Sequence, residues 1–334
     1  MTGIRGAAVA LDPKTGAILA MVSQPTFDPN DLAGHDLSAL DENYKKLNTD
    51  PQRPLVNRSI NGDLYPPGSI FKVITAAAAL SSGEYTEDSM LPGPAVLELP
   101  GTTASLPNMF PGACGANDKV SFTRAMAISC NTAFASVGMD IGADALRAQA
   151  EKFGFGDSLS VPMRVTPSTI PAELNMPQLA QSSIGQFDVR VTPLQMAMVA
   201  AGVANDGAVM KPYLVQSVIG SDLSVIETTD PQELSQAVTP DVAAQLTRMM
   251  EAVVTDGSGT RAQIDGVAVA GKSGTAQHGE GRKPHAWFIS FAPADDPQIA
   301  VAVIAEDGGV TGSEIGGGRV AAPIARQMME ARLK

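Results

Sequence analysis

A serine stands three residues before a lysine in the segment YPPGSIFK, and this pair can carry out nucleophilic chemistry. On a helix Ser69 and Lys72 share one face, so the amine can serve as the base for the hydroxyl. The preceding Pro-Pro-Gly and the apolar run at 70–80 predict that Ser69 opens a buried helix, whose dipole favours negative charge there. A capping serine followed by a solvated lysine is the alternative, and the pair alone does not decide between them.

Two further polar groups have spacings that chemistry can use. Ser129 and Asn131 place a hydroxyl and a carboxamide two residues apart, where an ordinary polar cap or loop pair is the alternative. The segment Lys272–Thr275 (KSGT) follows a predicted strand at 267–271, and its glycine would let a ligand backbone approach closely. Residues 14–16 (KTG) fit the same pattern, but they occupy a predicted hairpin turn in which such residues are common.

The composition limits the classes of function. A chain of 334 residues with 44% hydrophobic content suits one large domain or two closely packed lobes. The 23 basic and 35 acidic residues give a net charge of −12, which argues against nucleic acid as the main partner. An anionic substrate would therefore need a locally positive pocket. No apolar run reaches the length of a membrane span, and the first residues lack the pattern of a signal peptide.

The cysteines and histidines are few. Cys114 and Cys130 can form a disulfide or remain reduced, half-buried thiols, and their spacing leaves both states open. His35, His278 and His285 show no ligand spacing with either cysteine, so we predict no metal site and no cofactor. The last two histidines are expected to be surface residues near a strand turn.

Hydrophobic periodicity predicts a sheet built from both ends of the chain beside a helical region. Residues 7–23 read as a hairpin, and 209–230 as a second one. Between them helical patterning dominates, with runs at 73–80, 121–138, 143–153 and 193–204. The C-terminal part predicts a helix at 239–255, strands at 267–271, 286–292 and 298–305, and a closing helix at 320–333. A cleft between sheet and helices is the expected place for a site.

Taken in order, the three polar motifs match the signature of penicillin-recognising serine enzymes. Around them the sequence resembles the transpeptidase domain of class B penicillin-binding proteins over nearly the whole chain. The flanking blocks that carry this resemblance are NRSINGDLYPPGSIFKV, SSIGQFDVRVTPLQMAMVAAGVANDG, KSGTAQ and HAWFISFAP. With Cys130 next to Ser129 in the second motif, the chain resembles the actinobacterial cell-division type of class B penicillin-binding protein. The resemblance implies a peptidoglycan D,D-transpeptidase that β-lactams inhibit covalently.

Each motif then has an expected task. Ser69 would attack a carbonyl, and burial together with the charge of Lys272 would keep Lys72 a neutral base. The resemblance implies that Ser129 relays the proton to the leaving amine, supported by Lys272, and that Asn131 holds the substrate amide. It also implies the groups that bind the substrate carboxylate and the oxyanion. These are the segment Ser273, Gly274 and Thr275, with the backbone N–H groups of Ser69 and Thr275 as the oxyanion hole.

Several alternatives share this signature. A class A β-lactamase would need a deacylating carboxylate at the position of Pro171, and a class D enzyme would lack Asn131. A D,D-carboxypeptidase or endopeptidase acting on the same substrate, or a non-catalytic β-lactam sensor of the same fold, stays open. A Ser-His-Asp hydrolase is disfavoured because no G-x-S-x-G motif occurs.

The resemblance also implies a fold, partners and a location. We expect one α/β (α+β) domain over 1–334 with the penicillin-binding/β-lactamase-like transpeptidase fold, a mainly antiparallel sheet flanked by helices plus an all-α lobe. The sheet lobe is expected from 1–60 and 207–334, and the helical lobe from 61–206. The expected partners are stem peptides, β-lactams, a glycosyltransferase and other cell-division proteins, but no nucleic acid. We expect an extracytoplasmic location, with an N-terminal anchor and a non-catalytic domain that this chain does not contain.

Overall fold

The computed structural model describes residues 3–279, 281–309 and 316–334. Its strands are β1 (Gly6–Leu11), β2 (Ile18–Gln24), β3 (Met90–Pro92), β4 (Val96–Glu98), β5 (Ser105–Pro107), β6 (Lys119–Ser121), β7 (Ala208–Met210), β8 (Ser217–Ile219), β9 (Val225–Thr228), β10 (Glu233–Gln236), β11 (Ala270–Ala276), β12 (His285–Ala292) and β13 (Ile299–Ala305). Its α-helices are α1 (Leu37–Thr49), α2 (Lys72–Ser81), α3 (Phe122–Ala127), α4 (Asn131–Ile141), α5 (Ala143–Lys152), α6 (Met176–Ser182), α7 (Pro193–Ala204), α8 (Pro240–Thr255) and α9 (Gly317–Leu333).

One antiparallel sheet joins the two ends of the described chain, in the strand order β11-β12-β13-β1-β2. Side chains of β1 alternate between its faces: Ala7, Val9 and Leu11 join the larger core, while Ala8 and Ala10 join a smaller core with α9. Because helices cover both faces, the central strands are apolar throughout. The strand β11 lies at the edge of this sheet, so one side of its backbone is available to a ligand.

The helix α2 lies at the centre of the helical part and contacts α4, α5 and α8. Its sequence KVITAAAALS is rich in alanine, which favours a helix and lets neighbouring helices approach closely. Every residue from Lys72 to Leu80 is buried. A lysine at the start of such a helix is therefore held out of water unless polar groups reach it.

The structure departs from the predicted elements at five places. The lobe expected to be all-α also holds the short strands β3 to β6, which pair as β3 with β6 and β4 with β5. The helix expected at 121–138 is two helices, α3 and α4, separated by a break that contains Ser129. Ser69 lies in a 3₁₀ turn, Gly68–Phe71, before α2 begins at Lys72. The strand expected at 267–271 is β11, which begins three residues later, at Ala270. The apolar residues from Val267 onward lie mainly in the segment before the strand. In the second hairpin β8 pairs with β9, whereas β7 pairs with β10.

Within the part of the chain that the structure describes, no helix combines the length and the apolar content that a membrane crossing needs.

Candidate active site

The 3₁₀ turn that carries Ser69 packs against the edge strand β11. Gly68 has a φ of +56°, and a Cβ there would lie 2.7 Å from the carbonyl oxygen of Thr275. Gly274 is close to the same turn, since a Cβ on it would come within 3.0 Å of Ile70. These glycines let the backbone of the nucleophile turn and the backbone of the strand approach each other. Ser69 itself is buried except for 8% of its surface.

Lys72 is fully buried, and its amine is surrounded by groups of the break between α3 and α4. Its Nζ lies 2.8 Å from the carbonyl oxygen of Ser129, 3.2 Å from the Ser129 hydroxyl and 2.8 Å from Oδ1 of Asn131. Burial, and then the charge of Lys272, lower the pKa of Lys72 well below its usual range. The environment therefore favours the neutral amine that a general base requires.

Ser129 and Asn131 owe their positions to a sharp turn between two helices. Ser129 has a φ of 61°, a left-handed conformation that is costly for serine, and it ends the helical path of α3. Cys130 caps α4, which begins at Asn131. The structure joins Cys130 to Cys114 by a disulfide with Cα atoms 6.0 Å apart. The turn is thus covalently tied to a loop outside both helices.

Asn108 holds the same turn from the side. Its Oδ1 accepts hydrogen bonds from the backbone N–H groups of Asn131 and Thr132, at 3.0 and 3.2 Å. Its amide nitrogen donates to the carbonyl groups of Pro94 and Gly112. The buried side chain therefore satisfies the first free N–H groups of α4, and it fixes where Asn131 points.

Lys272 approaches from the opposite side of the cleft, on β11. It is fully buried, and its Nζ donates to the Ser129 hydroxyl at 2.9 Å and to the carbonyl of Ser273 at 2.9 Å. Burial lowers its pKa to about 7. The Ser273 hydroxyl is 2.6 Å from that of Ser258, which orients it at the strand edge.

The two amines constrain the proton of the Ser129 hydroxyl. A hydroxyl has one proton to donate and can accept from other donors. Because Lys272 donates to it and burial lowers the pKa of Lys72 well below its usual range, a neutral Lys72 can accept the proton of the Ser129 hydroxyl. The Ser129 hydroxyl thus lies within hydrogen-bond distance of both amines and links Lys272 to Lys72. Among the described residues, none forms a hydrogen bond with the Ser69 hydroxyl, and the amine of Lys72 stands three residues later in the chain.

The structure brings together the predicted residues from all three motifs. The alternative segment at 14–16 lies in the turn between β1 and β2, where Lys14 contacts the exposed Asp296. Two supporting residues, Asn108 and Ser258, were missed. Each acts on a partner 15 or more positions away in the sequence, so no local pattern marks it.

The expectation for two histidines was wrong. His285 is buried as the first residue of β12, and its ring stacks on that of His278 with centroids 3.6 Å apart. Burial, and then His278, lower the pKa of His285 to about 4. Together with Asp307, they place possible metal-ligand atoms within 4.8 Å of one another, a grouping that the linear spacing does not reveal. The rings are nearly parallel and Arg5 contacts Asp307, which is a poor arrangement for coordinating a cation.

The comparisons with known proteins agree with this geometry. A family model described as penicillin binding protein transpeptidase domain matches residues 6–330. Peptidoglycan D,D-transpeptidase PbpA of Mycolicibacterium smegmatis is 49% identical over 99% of this chain and 67% of its own length. PbpA of Mycobacterium tuberculosis is 45% identical over the same shares. The structure of penicillin-binding protein A from M. tuberculosis as a ceftriaxone acyl-enzyme complex matches with a TM-score of 0.95, at 45% identity, over 99% of this chain and 74% of that one.

Proposed function

Because this chain belongs to the family of penicillin-binding protein transpeptidase domains, we propose that it is a peptidoglycan D,D-transpeptidase working through a Ser69 acyl-enzyme. The predicted activity is thereby assigned to the site that contains Ser69. The observation that carries the proposal is the Ser129 hydroxyl held between the amines of Lys72 and Lys272. Acyl transfer needs a base for the nucleophile and an acid for the leaving group, and this arrangement supplies both.

In the first half of the reaction, the Ser69 hydroxyl attacks the carbonyl of the penultimate D-Ala of a stem peptide. Lys72 takes the hydroxyl proton as the new C–O bond forms. The developing oxyanion is stabilised by the backbone N–H groups of Ser69 and Thr275, whose segments lie against each other through Gly68. The terminal carboxylate binds the hydroxyls of Ser273 and Thr275.

The leaving group departs when the C–N bond breaks and the terminal D-Ala amine receives a proton from Ser129. Lys72, now an ammonium, returns a proton to Ser129. The carboxamide of Asn131 holds the amide of the donor peptide. In the second half, the amine of another stem peptide attacks the ester, its proton passes to Lys72, and Ser69 leaves with a proton restored.

β-Lactams enter the same path as analogues of the donor. Opening of the lactam ring acylates Ser69, and the former leaving amine stays tethered to the acyl group. Hydrolysis would need a base for water, and Pro171 stands where class A β-lactamases have that carboxylate. The M. tuberculosis relative, penicillin-binding protein A, has been captured as acyl-enzymes with ceftriaxone, imipenem and penicillin G. We propose the same stable adduct for this chain.

Intact mass spectrometry after incubation with penicillin G tests the proposal. The expected result is a stable adduct of one drug mass, absent from Ser69→Ala. Ser81→Ala is a matched control, since it removes a hydroxyl at the other end of α2. Absence of an adduct on the native chain would contradict the function, and rapid release of the opened drug would favour a β-lactamase.

We also propose that the domain acts on the extracytoplasmic side of a bacterial membrane as one unit over 1–334, with a sheet lobe and a helical lobe. The disulfide between Cys114 and Cys130 supports this location, because such bonds persist in oxidising compartments. An anchored neighbour with glycosyltransferase activity and other cell-division proteins are the proposed partners. Peptide mapping without reduction, on protein isolated from the cell envelope, should recover the two cysteines as one cross-linked peptide.

A further inference from the structure

The segment at 65–68 leads into the nucleophile turn and is bound to both sides of the molecule. On the helical side the bonds are made by main-chain groups. Tyr65 exchanges two such hydrogen bonds with Val191, and the N–H of Gly68 donates to the carbonyl of Gly185. Because nearly every residue type carries these groups, this side places few demands on the sequence.

On the sheet side the same segment is held by two side chains. The Trp287 indole N–H donates to the carbonyl of Pro66 at 3.1 Å. The Tyr65 hydroxyl donates to Oε1 of Glu306 at 2.7 Å. Trp287 lies on β12, and Glu306 directly follows the last residue of β13. The position of the nucleophile turn on the sheet therefore depends on side chains of a particular type.

The surroundings of Glu306 make it a strong acceptor for this hydrogen bond. Its side chain is 10% exposed, and the guanidinium groups of Arg5 and Arg58 contact its two oxygens. These cations offset the cost of burying the carboxylate. Burial, and then the charge of Glu306, raise the pKa of Tyr65 above its usual value, so the hydroxyl keeps its proton and stays a donor.

Glu306 is separated from the reacting atoms by strand β12. Thr275 of β11 pairs with Ala286, and Ala286 in turn pairs with Ala305. Two strand spacings put the backbones of Thr275 and Ala305 about 10 Å apart, and Glu306 is the next residue. Its carboxylate therefore reaches the site through Tyr65 rather than by contact with the substrate.

The placement of the nucleophile turn matters because the proposed oxyanion hole is assembled from two segments. One N–H belongs to Ser69 on the turn, and the other belongs to Thr275 on β11. Both must lie about 3 Å from the developing oxyanion, so a small displacement of the turn weakens their combined effect. The two segments are in contact, since a Cβ on Gly68 would lie 2.7 Å from the carbonyl oxygen of Thr275.

We propose that Glu306 is a positioning residue for acylation. Through the Tyr65 hydroxyl it holds the nucleophile turn on the sheet, and it thereby sets the geometry of the oxyanion hole. This inference rests on the proposed function and adds to it a residue outside the three motifs. Because negative charge on the carbonyl oxygen develops only during attack, the bond favours the transition state over the noncovalent complex.

The first test removes the hydroxyl with Tyr65→Phe. The ring remains to pack against Trp287 and His285, and both ion pairs of Glu306 are kept. Stopped-flow acylation by penicillin G over a range of concentrations gives two constants. These are the limiting acylation rate and the dissociation constant of the noncovalent complex.

Tyr85→Phe is the matched control, because the Tyr85 hydroxyl also donates to a carboxylate, that of Asp140. Asp140 lies about 13 Å along α4 from Asn131, near the other end of that helix. The control therefore removes the same type of hydrogen bond from a pair outside the segment that leads to the nucleophile.

Tyr65→Phe should lower the limiting acylation rate about tenfold, as for the loss of one charge-assisted hydrogen bond. The dissociation constant should stay within about twofold of the native value, because the bond acts mainly in the transition state. Tyr85→Phe should change neither constant. The inference is overturned by a native acylation rate in Tyr65→Phe, by a loss confined to the dissociation constant, or by an equal loss in the control.

A double-mutant cycle assigns the effect to Glu306. Glu306→Gln keeps the size of the side chain but removes a charge that Arg5 and Arg58 both contact, and it should also slow acylation. If the two residues act through one bond, adding Tyr65→Phe should slow Glu306→Gln by less than about twofold. Losses that multiply would overturn the assignment to Glu306. Tyr65→Phe keeps the ion pairs, so it decides the inference even where Glu306→Gln does not fold.

A transition-state analogue distinguishes the oxyanion hole from the general base. An acylaminomethylboronic acid forms a tetrahedral adduct with Ser69, and one of its oxygens takes the position of the oxyanion. Its inhibition constant should rise about tenfold in Tyr65→Phe, in parallel with the loss of acylation rate. An unchanged inhibition constant beside slow acylation would overturn the role given to the oxyanion hole. Absence of a penicillin adduct on the native chain would instead contradict the proposed function itself.

Discussion

The two sides of the active-site cleft are built in different ways. The strand wall, residues 270–276, is a regular edge strand held to β12 by the backbone ladder along its whole length. The loop wall, residues 128–131, is a turn between two helices with Ser129 in a left-handed conformation. It is held by a disulfide and by the side chain of Asn108. One wall is positioned by secondary structure and the other by contacts from outside.

This difference shows how rigid placement is achieved without regular structure. Ser129 adopts a backbone conformation that costs about 1–2 kcal/mol, and the surrounding bonds compensate for it. The two lysines connect the walls, since Lys272 on the strand wall and Lys72 on α2 both bind Ser129. Variants that release one wall and leave the other intact should therefore distinguish residues that hold Ser129 in place from residues that take part in the acylation of Ser69.

The largest effect is expected for Lys72→Met, which removes the group that connects α2 to the loop wall. Acylation by penicillin should slow about 10²–10⁴-fold, because the general base is lost. The fold should persist, since methionine has a similar volume and no buried charge to desolvate. Stopped-flow measurement of the acylation rate, with thermal unfolding, checks both expectations.

Lys211→Met is the control for this substitution, because Lys211 is exposed and its amine donates a hydrogen bond to Gln232, outside the cleft. It should acylate at the native rate. Retention of the native rate in Lys72→Met would show that another group accepts the Ser69 proton.

The next effect comes from releasing the loop wall by the double variant Cys114→Ala and Cys130→Ala. The cross-link spans a separation of 16 residues, so the free energy of unfolding should fall by about 3 kcal/mol. Acylation should also slow, since the strained position of Ser129 loses its covalent support. Urea unfolding and the acylation rate are the measurements.

The strand wall should stay native in this double variant. Trp287 is the single tryptophan, and it lies on β12 opposite Gly274 of the strand wall. Its fluorescence below the unfolding transition should match that of the native chain. A loss of stability with unchanged acylation would show that the disulfide supports the fold but not the position of Ser129.

The same difference explains what could be predicted from the sequence. The family and the fold class are confirmed. Both could be predicted because each motif stands beside a local sequence signal, such as Pro-Pro-Gly before Ser69. The apolar segments 286–292 and 298–305 also predicted β12 and β13 closely. The assigned roles of the site residues stay predictions.

The loop wall could not be predicted in the same way. The residues Phe122 to Gly138 have helical periodicity throughout, and the break within them depends on Asn108 and Cys114, which lie outside the segment. The burial of His285 likewise depends on packing against Tyr65 and His278. Contacts between distant residues leave no periodic signal in either partner.

A smaller effect is expected for Asn108→Ala, which removes a second support of the loop wall. Two buried N–H groups at the start of α4 would lose their acceptor, at a cost of about 1–3 kcal/mol. Acylation should slow several-fold because Asn131 is no longer fixed. Chemical denaturation and the acylation rate check these two expectations.

Asn175→Ala is the matched control for this variant. Asn175 caps α6 at an exposed position, so its loss should lower stability by about 1 kcal/mol without slowing acylation. If both variants slow acylation equally, the effect of Asn108 is general loss of stability rather than positioning of the loop wall.

The smallest effect is expected from pH, and it concerns the strand wall. Lys272 has a pKa of about 7 in the folded chain and 10.5 as its ordinary value. Between these values the unfolded chain binds a proton that the folded chain does not, so stability rises with pH across this window. Below about pH 7 both states carry the proton, and the cost of burying the charge is present in full.

The free energy of unfolding is measured with urea at pH 7 and pH 8 in matched salt. From pH 7 to pH 8 it should increase by about 1 kcal/mol more in the native chain than in Lys272→Met. Subtracting the variant removes the contribution of other titrating groups. Lys72→Met should keep the part of the increase that comes from Lys272, because burial lowers the pKa of Lys272 whether or not Lys72 is present. If the increase disappears in Lys72→Met and survives in Lys272→Met, the amine that loses its proton near neutral pH belongs to α2 and not to the strand wall.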